Sequence, residues 1–150
     1  VYVGAVLAVM LACVLLAAGL ASGQVFLARW VGDRTRDAQA YYAALTGLER
    51  LKPLCPEVMD PRAAAPGDAF EVPGAAGAVG PDASVERVVL TYTCVSGNLV
   101  EAEALSVGAS GSARAAVRAR LRAEWAEGTS GELVLAGASF AGPVLRVPVP

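Results

Sequence analysis

The chain has 150 residues and a mass of 15.2 kDa, room for one domain rather than two. It is 55% hydrophobic and only 17% charged, with a mean hydropathy of +0.52 and a net charge of −2. No charged side chain precedes Arg29, so an apolar N-terminal segment is joined to a domain of ordinary charge density. That distribution excludes a wholly soluble chain, a multi-spanning transporter and a disordered tail. The near-neutral balance gives no global field toward nucleic acid or an acidic membrane surface. Histidine is absent, which removes the commonest general base and the commonest transition-metal ligand.

Residues 1–28 read VYVGAVLAVMLACVLLAAGLASGQVFLA. As a helix this run is about 42 Å long at ~1.5 Å per residue, more than the ~30 Å of a bilayer's hydrocarbon core. Arg29 and Trp30 follow at once, as an interfacial anchor would. A secretory signal peptide has a shorter apolar core with basic residues ahead of it, and this run has neither property. Arg29, Arg34 and Arg36 after the run would place the domain in the cytoplasm by the positive-inside rule. The other resolution is a basic leader ahead of Val1 that has been removed.

From Gln24 to Lys52 there is no proline. Leu27, Val31, Ala38, Tyr41, Tyr42, Leu45 and Leu48 recur at three- and four-residue spacing, one stripe of an amphipathic helix. Pro53 and Pro56 are expected to end it. The pattern predicts one helix of about 50 residues. Its half 1–28 is apolar all round and its half 29–52 is amphipathic. The surface for helix packing comprises Val1, Val6, Leu7, Met10, Leu11, Val14, Leu15, Gly19 and Gly23. Gly19 and Gly23 have the small-xxx-small spacing that lets helices approach closely; small residues filling an apolar helix is the plainer reading.

Residues 53–84 are rich in Pro, Gly and Ala, lack a period, and read as a long connecting loop. Residues 85–150 turn to strand signals. Val88, Leu90, Tyr92 and Cys94 alternate with Val89, Thr91, Thr93 and Val95; Ser96-Gly97-Asn98 reads as a turn. Leu99 to Val107 alternates again, with Glu101 and Glu103 on one face, before a turn at residues 108–111. Residues 114–127 have helix-forming composition, yet Val117, Ala119, Leu121, Ala123 and Trp125 alternate strictly with Arg118, Arg120, Arg122 and Glu124. Strict period two predicts a half-buried strand. Residues 132–136 and 144–149 are shorter strand candidates. The fold class is therefore α+β: one long N-terminal helix packed on a four- or five-stranded antiparallel sheet.

Cys55 falls at the end of the helix and Cys94 near the end of the first long strand. Outside the cytoplasm these two would pair, closing a loop of about 40 residues worth ~4 kcal/mol at most. Two separate buried thiols is the alternative. Cys13 is a small apolar filler.

This organisation resembles a type IV pilin, and most nearly the PilX-type minor pilins. Residues 24–51 (QVFLARWVGDRTRDAQAYYAALTGLERL) are similar to that family's Gly-Asn/Asp-x-x-Asp core and the Ala-Phe/Tyr-Tyr-Ala-Ala-Glu-x-Gly-Leu-Glu run after it. The matching residues are Gly32, Asp33, Asp37, Ala40, Tyr41, Tyr42, Ala43, Ala44, Gly47, Leu48 and Glu49. Residues 105–117 are loosely similar to the family's Ser-x-Gly hairpin leading into an arginine-bearing strand. The departures are Val1 for the usual aromatic or Met, Ala5 for the usual glutamate, and Thr46 for the glutamate of the helix motif.

The resemblance implies a structural subunit, a pilin or minor pilin of a type IV pilus or related filament serving adhesion, motility, DNA uptake or secretion. It implies a basic leader removed to leave a methylated N-terminus, and a domain outside the cytoplasm. The partners implied are copies of itself or other pilins, the inner-membrane assembly machinery, and membrane lipid before assembly. The implied location is a surface filament with a single-pass membrane pool. No catalytic residue, cofactor or metal is expected. A single-span anchored accessory or binding subunit of a larger complex is the alternative function. An anchored enzyme would have to work without histidine. Asp60, Asp68 and Asp82 lie in the proline-rich loop, where carboxylates are usually just solvated. DNA contact by Arg114, Arg118, Arg120 and Arg122 is the weaker reading beside a solvated sheet face, because no aromatics interleave.

Overall fold

A computed structural model describes residues 2–150. Its element order is one helix, α1 (Tyr2–Val58), then seven strands: β1 (Ala69–Glu71), β2 (Gly77–Ala78), β3 (Ala83–Ser96), β4 (Leu99–Ser110), β5 (Ala113–Glu127), β6 (Leu133–Phe140) and β7 (Leu145–Val147). The chain divides into two units, one ending at Thr35 and one running Arg36–Pro150. The class is α+β with an antiparallel sheet, as the sequence predicts.

In the first unit every residue from Tyr2 to Val31 is exposed. In the helix there, Ser22 and Thr35 return their hydroxyls to Ala18 O and Val31 O at 2.8 and 2.9 Å. Such back-bonding satisfies a hydroxyl where water is scarce.

In the second unit the sheet runs β1-β3-β4-β5-β6, with β2 beside β3 and β7 beside β5. Five strands form the main path, and two short segments bring the total to seven against the four or five expected. The added strands β1 and β2 come from residues 53–84, read from sequence as loop; they pair with β3 antiparallel at Phe70 to Leu90 and Gly77 to Val85. Three-residue strands carry too little periodicity to be seen in sequence.

Strand β5 forms as its alternation demands. Val117, Ala119, Leu121, Ala123 and Trp125 are buried and Arg118, Arg120, Arg122 and Glu124 are exposed. The core joins this face to Val88, Leu90, Val100, Ala102 and Ala104 of β3 and β4. From α1 it takes Ala44, Leu48, Leu51 and Cys55.

Two features of α1 differ from expectation. First, Pro53 and Pro56 lie inside the helix, which continues to Val58. Both prolines are exposed, while Leu51, Cys55 and Met59 are fully buried at four-residue spacing. A proline removes one helical hydrogen bond, and on the wet face the freed carbonyl still has solvent, so burial of the other face carries the helix through. Second, the predicted stripe coincides only in part with the buried one, sharing Leu48 with it. Tyr42 is 65% exposed and Ala38 is exposed, with Tyr41 and Leu45 half-buried. The face on the sheet is Ala40, Ala43, Ala44, Gly47, Leu48, Leu51 and Cys55.

The reason is the closeness of helix and sheet. A Cβ added at Gly108 of β4 would collide with the Ala40 carbonyl and the Ala44 amide, and would lie 2.9 Å from the Ala43 Cβ. One at Gly47 would overlap the Ser106 hydroxyl and sit 2.8 Å from Val85 Cγ1. Backbone meets backbone here, so only small side chains fit between.

Candidate assembly surface

The surface that asks for a partner is the first unit's own. Among the described residues, Val6, Leu7, Met10, Leu11, Val14 and Leu15 are 54–65% exposed, and the other residues of 2–31 are exposed around the rest of the helix. A Cβ at Gly19 or Gly23 would meet open space, so none of the described residues occupies the notch they form. Val1, counted in the same surface from sequence, lies outside the described residues. Monomeric soluble proteins rarely expose contiguous apolar patches above a few hundred Å². A helix apolar over its whole circumference is stable only in lipid or among other helices. By length and composition α1 can cross a membrane once.

Where the apolar run ends, charge and aromaticity begin together. The Arg34 guanidinium lies over the Trp30 ring, 5.3 Å from its centroid. Trp30 is 51% exposed. This is the arrangement of a side chain that belongs at an interface, with an apolar body and a polar cap.

The residues of the family-like motif do not converge on one site. Gly32 is half-buried, and Asp33 and Asp37 are exposed. Tyr41 and Tyr42 meet edge-on at 6.0 Å, and Arg146 of β7 stacks over Tyr41 at 5.6 Å. Gly47 is buried, where its lack of a side chain admits Ser106. Glu49 holds Lys52 at 2.6 Å on the exposed face. Gly47 is thus a packing residue, Tyr41 lies half-buried against the core, and Tyr42 and Glu49 decorate the helix surface.

Cys55 and Cys94 are free thiols, which corrects the expected disulfide. The cause is a bulge in β3: Tyr92 stands opposite Ala102, but Cys94 stands opposite Glu101. The extra residue moves Cys94 onto the outer face that carries Glu101, whereas Cys55 points into the core. The Cys55 thiol donates to Leu51 O at 3.3 Å, and burial pushes its pKa up. Cys13 is exposed on the apolar helix.

The outer sheet face is a lattice of opposite charges. Arg118 pairs with Glu103 at 2.9 Å, Arg122 with Glu124 at 3.0 Å and Arg114 with Glu86 at 2.9 Å. Three of the four arginines considered for DNA contact are thus already engaged. A polar cleft of about 750 Å³ lies beside Gln39, Asp82, Ser84, Glu86 and Ser110. In its walls Ser110 donates to Gln39 at 2.8 Å, and Glu86 accepts from Arg114 at 2.9 Å. Asp60 caps a turn by accepting the Arg62 amide at 2.9 Å. No group of three or more Cys, Asp or Glu side chains is placed for a metal among the described residues.

Sequence reasoning missed the fixing of the helix end. The last carbonyls of a helix have no intrahelical partner. Here the Tyr92 hydroxyl donates to Val58 O, and Trp125 Nε1 donates to Met59 O at 3.0 Å. Arg50 reaches across to the carbonyls of Gly77 and Ala78 at 3.4 and 2.7 Å. The available signal was an aromatic near the end of β3 and another near the end of β5. Ser106 is the exception to this economy: its hydroxyl is buried without a hydrogen-bond partner among the described residues.

No family model, no curated protein and no solved structure matches this chain.

Proposed function

We propose that this chain is a pilin-like structural subunit, stored in the membrane by its apolar helix and assembled by packing that helix among copies of itself or other pilins. The observation that carries the reading is the helix surface from Tyr2 to Ala28: uncharged, exposed on every side, and continuous in α1 with the segment that seals the sheet. Such a surface needs apolar contact all round before and after assembly, and lipid and sister helices both supply it. The balanced, ion-paired sheet face suits an outward surface in water. Assembly makes and breaks no covalent bond, so the reading requires no catalytic residue or cofactor. The proposed location is a surface filament with a single-pass membrane pool, and the assembly machinery of the inner membrane is the second partner.

The test is site-specific photocrosslinking from Leu15 in cells, with electron microscopy of sheared surface material. A ladder of this chain crosslinked to itself or to similar small subunits, found in sheared filaments, is the expected result. A single crosslink to one larger membrane protein, with no filament carrying the chain, would replace the reading with an anchored accessory subunit.

A further inference from the structure

We propose that Arg29, Trp30 and Arg34 form a collar for the phosphate of an anionic phospholipid headgroup, and that this collar fixes how deep the helix sits. The inference rests on the membrane-stored state proposed above. Three observations carry it.

The first is the abruptness of the boundary. Residues 2–28 contain no charge, and Arg29, Asp33 and Arg34 then fall within six positions of one another. A helix does not draw Arg29 into hydrocarbon, where an unpaired charge is costly, while Ala28 beside it is free to move outward. Arg29 therefore sits at headgroup level. The second is spacing. Tyr2 and Trp30 are separated by about 42 Å of helix at ~1.5 Å per residue. A bilayer measures about 40–45 Å between its outer polar regions. Both rings are largely exposed, Tyr2 at 88% and Trp30 at 51%, so each is available to an interface. Aromatic residues concentrate at those two levels.

The third is the pose of Arg34. Its guanidinium is laid over the Trp30 ring at 5.3 Å instead of extending away from the helix. The stacking draws the cation toward the membrane side. A guanidinium stacked by its face keeps its N–H edge for hydrogen bonding, and that edge matches a phosphate's paired oxygens. Arg29, one residue before the ring, adds a second positive charge at headgroup level, so with Asp33 counted the boundary stays net positive. Charge complementarity then selects an anionic headgroup over a zwitterionic one, because the latter brings its own cation to the same level.

The experiment uses the full chain reconstituted in liposomes. Trp30 fluorescence is quenched by phospholipids brominated on the acyl chain near the headgroup or deep in the tail. The brominated lipid is either phosphatidylglycerol or phosphatidylcholine, at equal mole fraction. Shallow bromines should quench more than deep ones, and W30F, which retains Trp125, should abolish the quenching. Brominated phosphatidylglycerol should quench about twofold or more better than brominated phosphatidylcholine, with the excess shrinking as salt rises. The R29Q/R34Q double variant should bring that ratio to one while the chain stays in the liposomes. Equal quenching by the two lipids, or stronger quenching by deep bromines, would overturn the collar and leave the membrane reading intact. A chain that floats with no liposome and shows no quenching would overturn the membrane reading itself.

Discussion

Tyr92 joins three parts of the domain through one side chain. Its ring packs in the core against Phe70 at 5.5 Å, and its hydroxyl closes the end of α1 on Val58 O. Burial raises the phenol's pKa above its ordinary value, and the charges of Asp68 and Asp60 raise it further. The neutral phenol is therefore the native form. Its contribution is complete below about pH 10 and is lost as pH climbs through the raised folded value. Y92F should cost about 1 kcal/mol at neutral pH, the worth of one net hydrogen bond. Between about pH 9 and 11 the wild-type domain should lose stability more steeply than Y92F. Urea titrations across that range in detergent check both slopes; parallel curves would remove Tyr92 from the account.

At the scale of elements the decisive feature is the seam between α1 and β4. Gly108 faces helix backbone, so G108A should push the helix off the sheet and cost about 1–3 kcal/mol or more. The denaturation midpoint reports it, and an unchanged midpoint would mean the seam is looser than described. The bulge in β3 makes a separate prediction. Cys94 should react with a thiol reagent in the native chain, while Cys55 should react only on unfolding, protected by burial and a raised pKa. A disulfide-linked peptide pair containing both would show that the bulge is absent.

These elements also show what a single sequence reveals. The alternation of residues 117–125 was legible because period two survives intact along β5. The helix was legible in extent but not in orientation. Large apolar residues drew attention to Tyr42 and Val31, whereas the sheet had selected alanine and glycine by approaching too closely for anything larger. The prolines misled because which side of the helix is wet depends on tertiary packing. The cysteine pairing misled because one bulged residue reverses every side chain after it.

For the whole molecule, composition carried the main division. An uncharged stretch and a charge-balanced domain are different solvation problems, and the structure answers them with two units meeting at Thr35 and Arg36. The apolar surface was readable from the order of residues alone, because a helical stretch without charged residues leaves no strongly polar face. The collar at Trp30 was readable only in part, since the lean of Arg34 onto the ring is a matter of rotamer. The glycine seam has one further consequence. Because strand and helix touch main chain to main chain at Gly108, a force pulling on α1 from Arg36 to Val58 reaches β4 there without first bending a flexible side chain. Tyr92 and Trp125, gripping the far end, would then resist peeling, so the domain should yield late and all together under tension rather than unravel strand by strand.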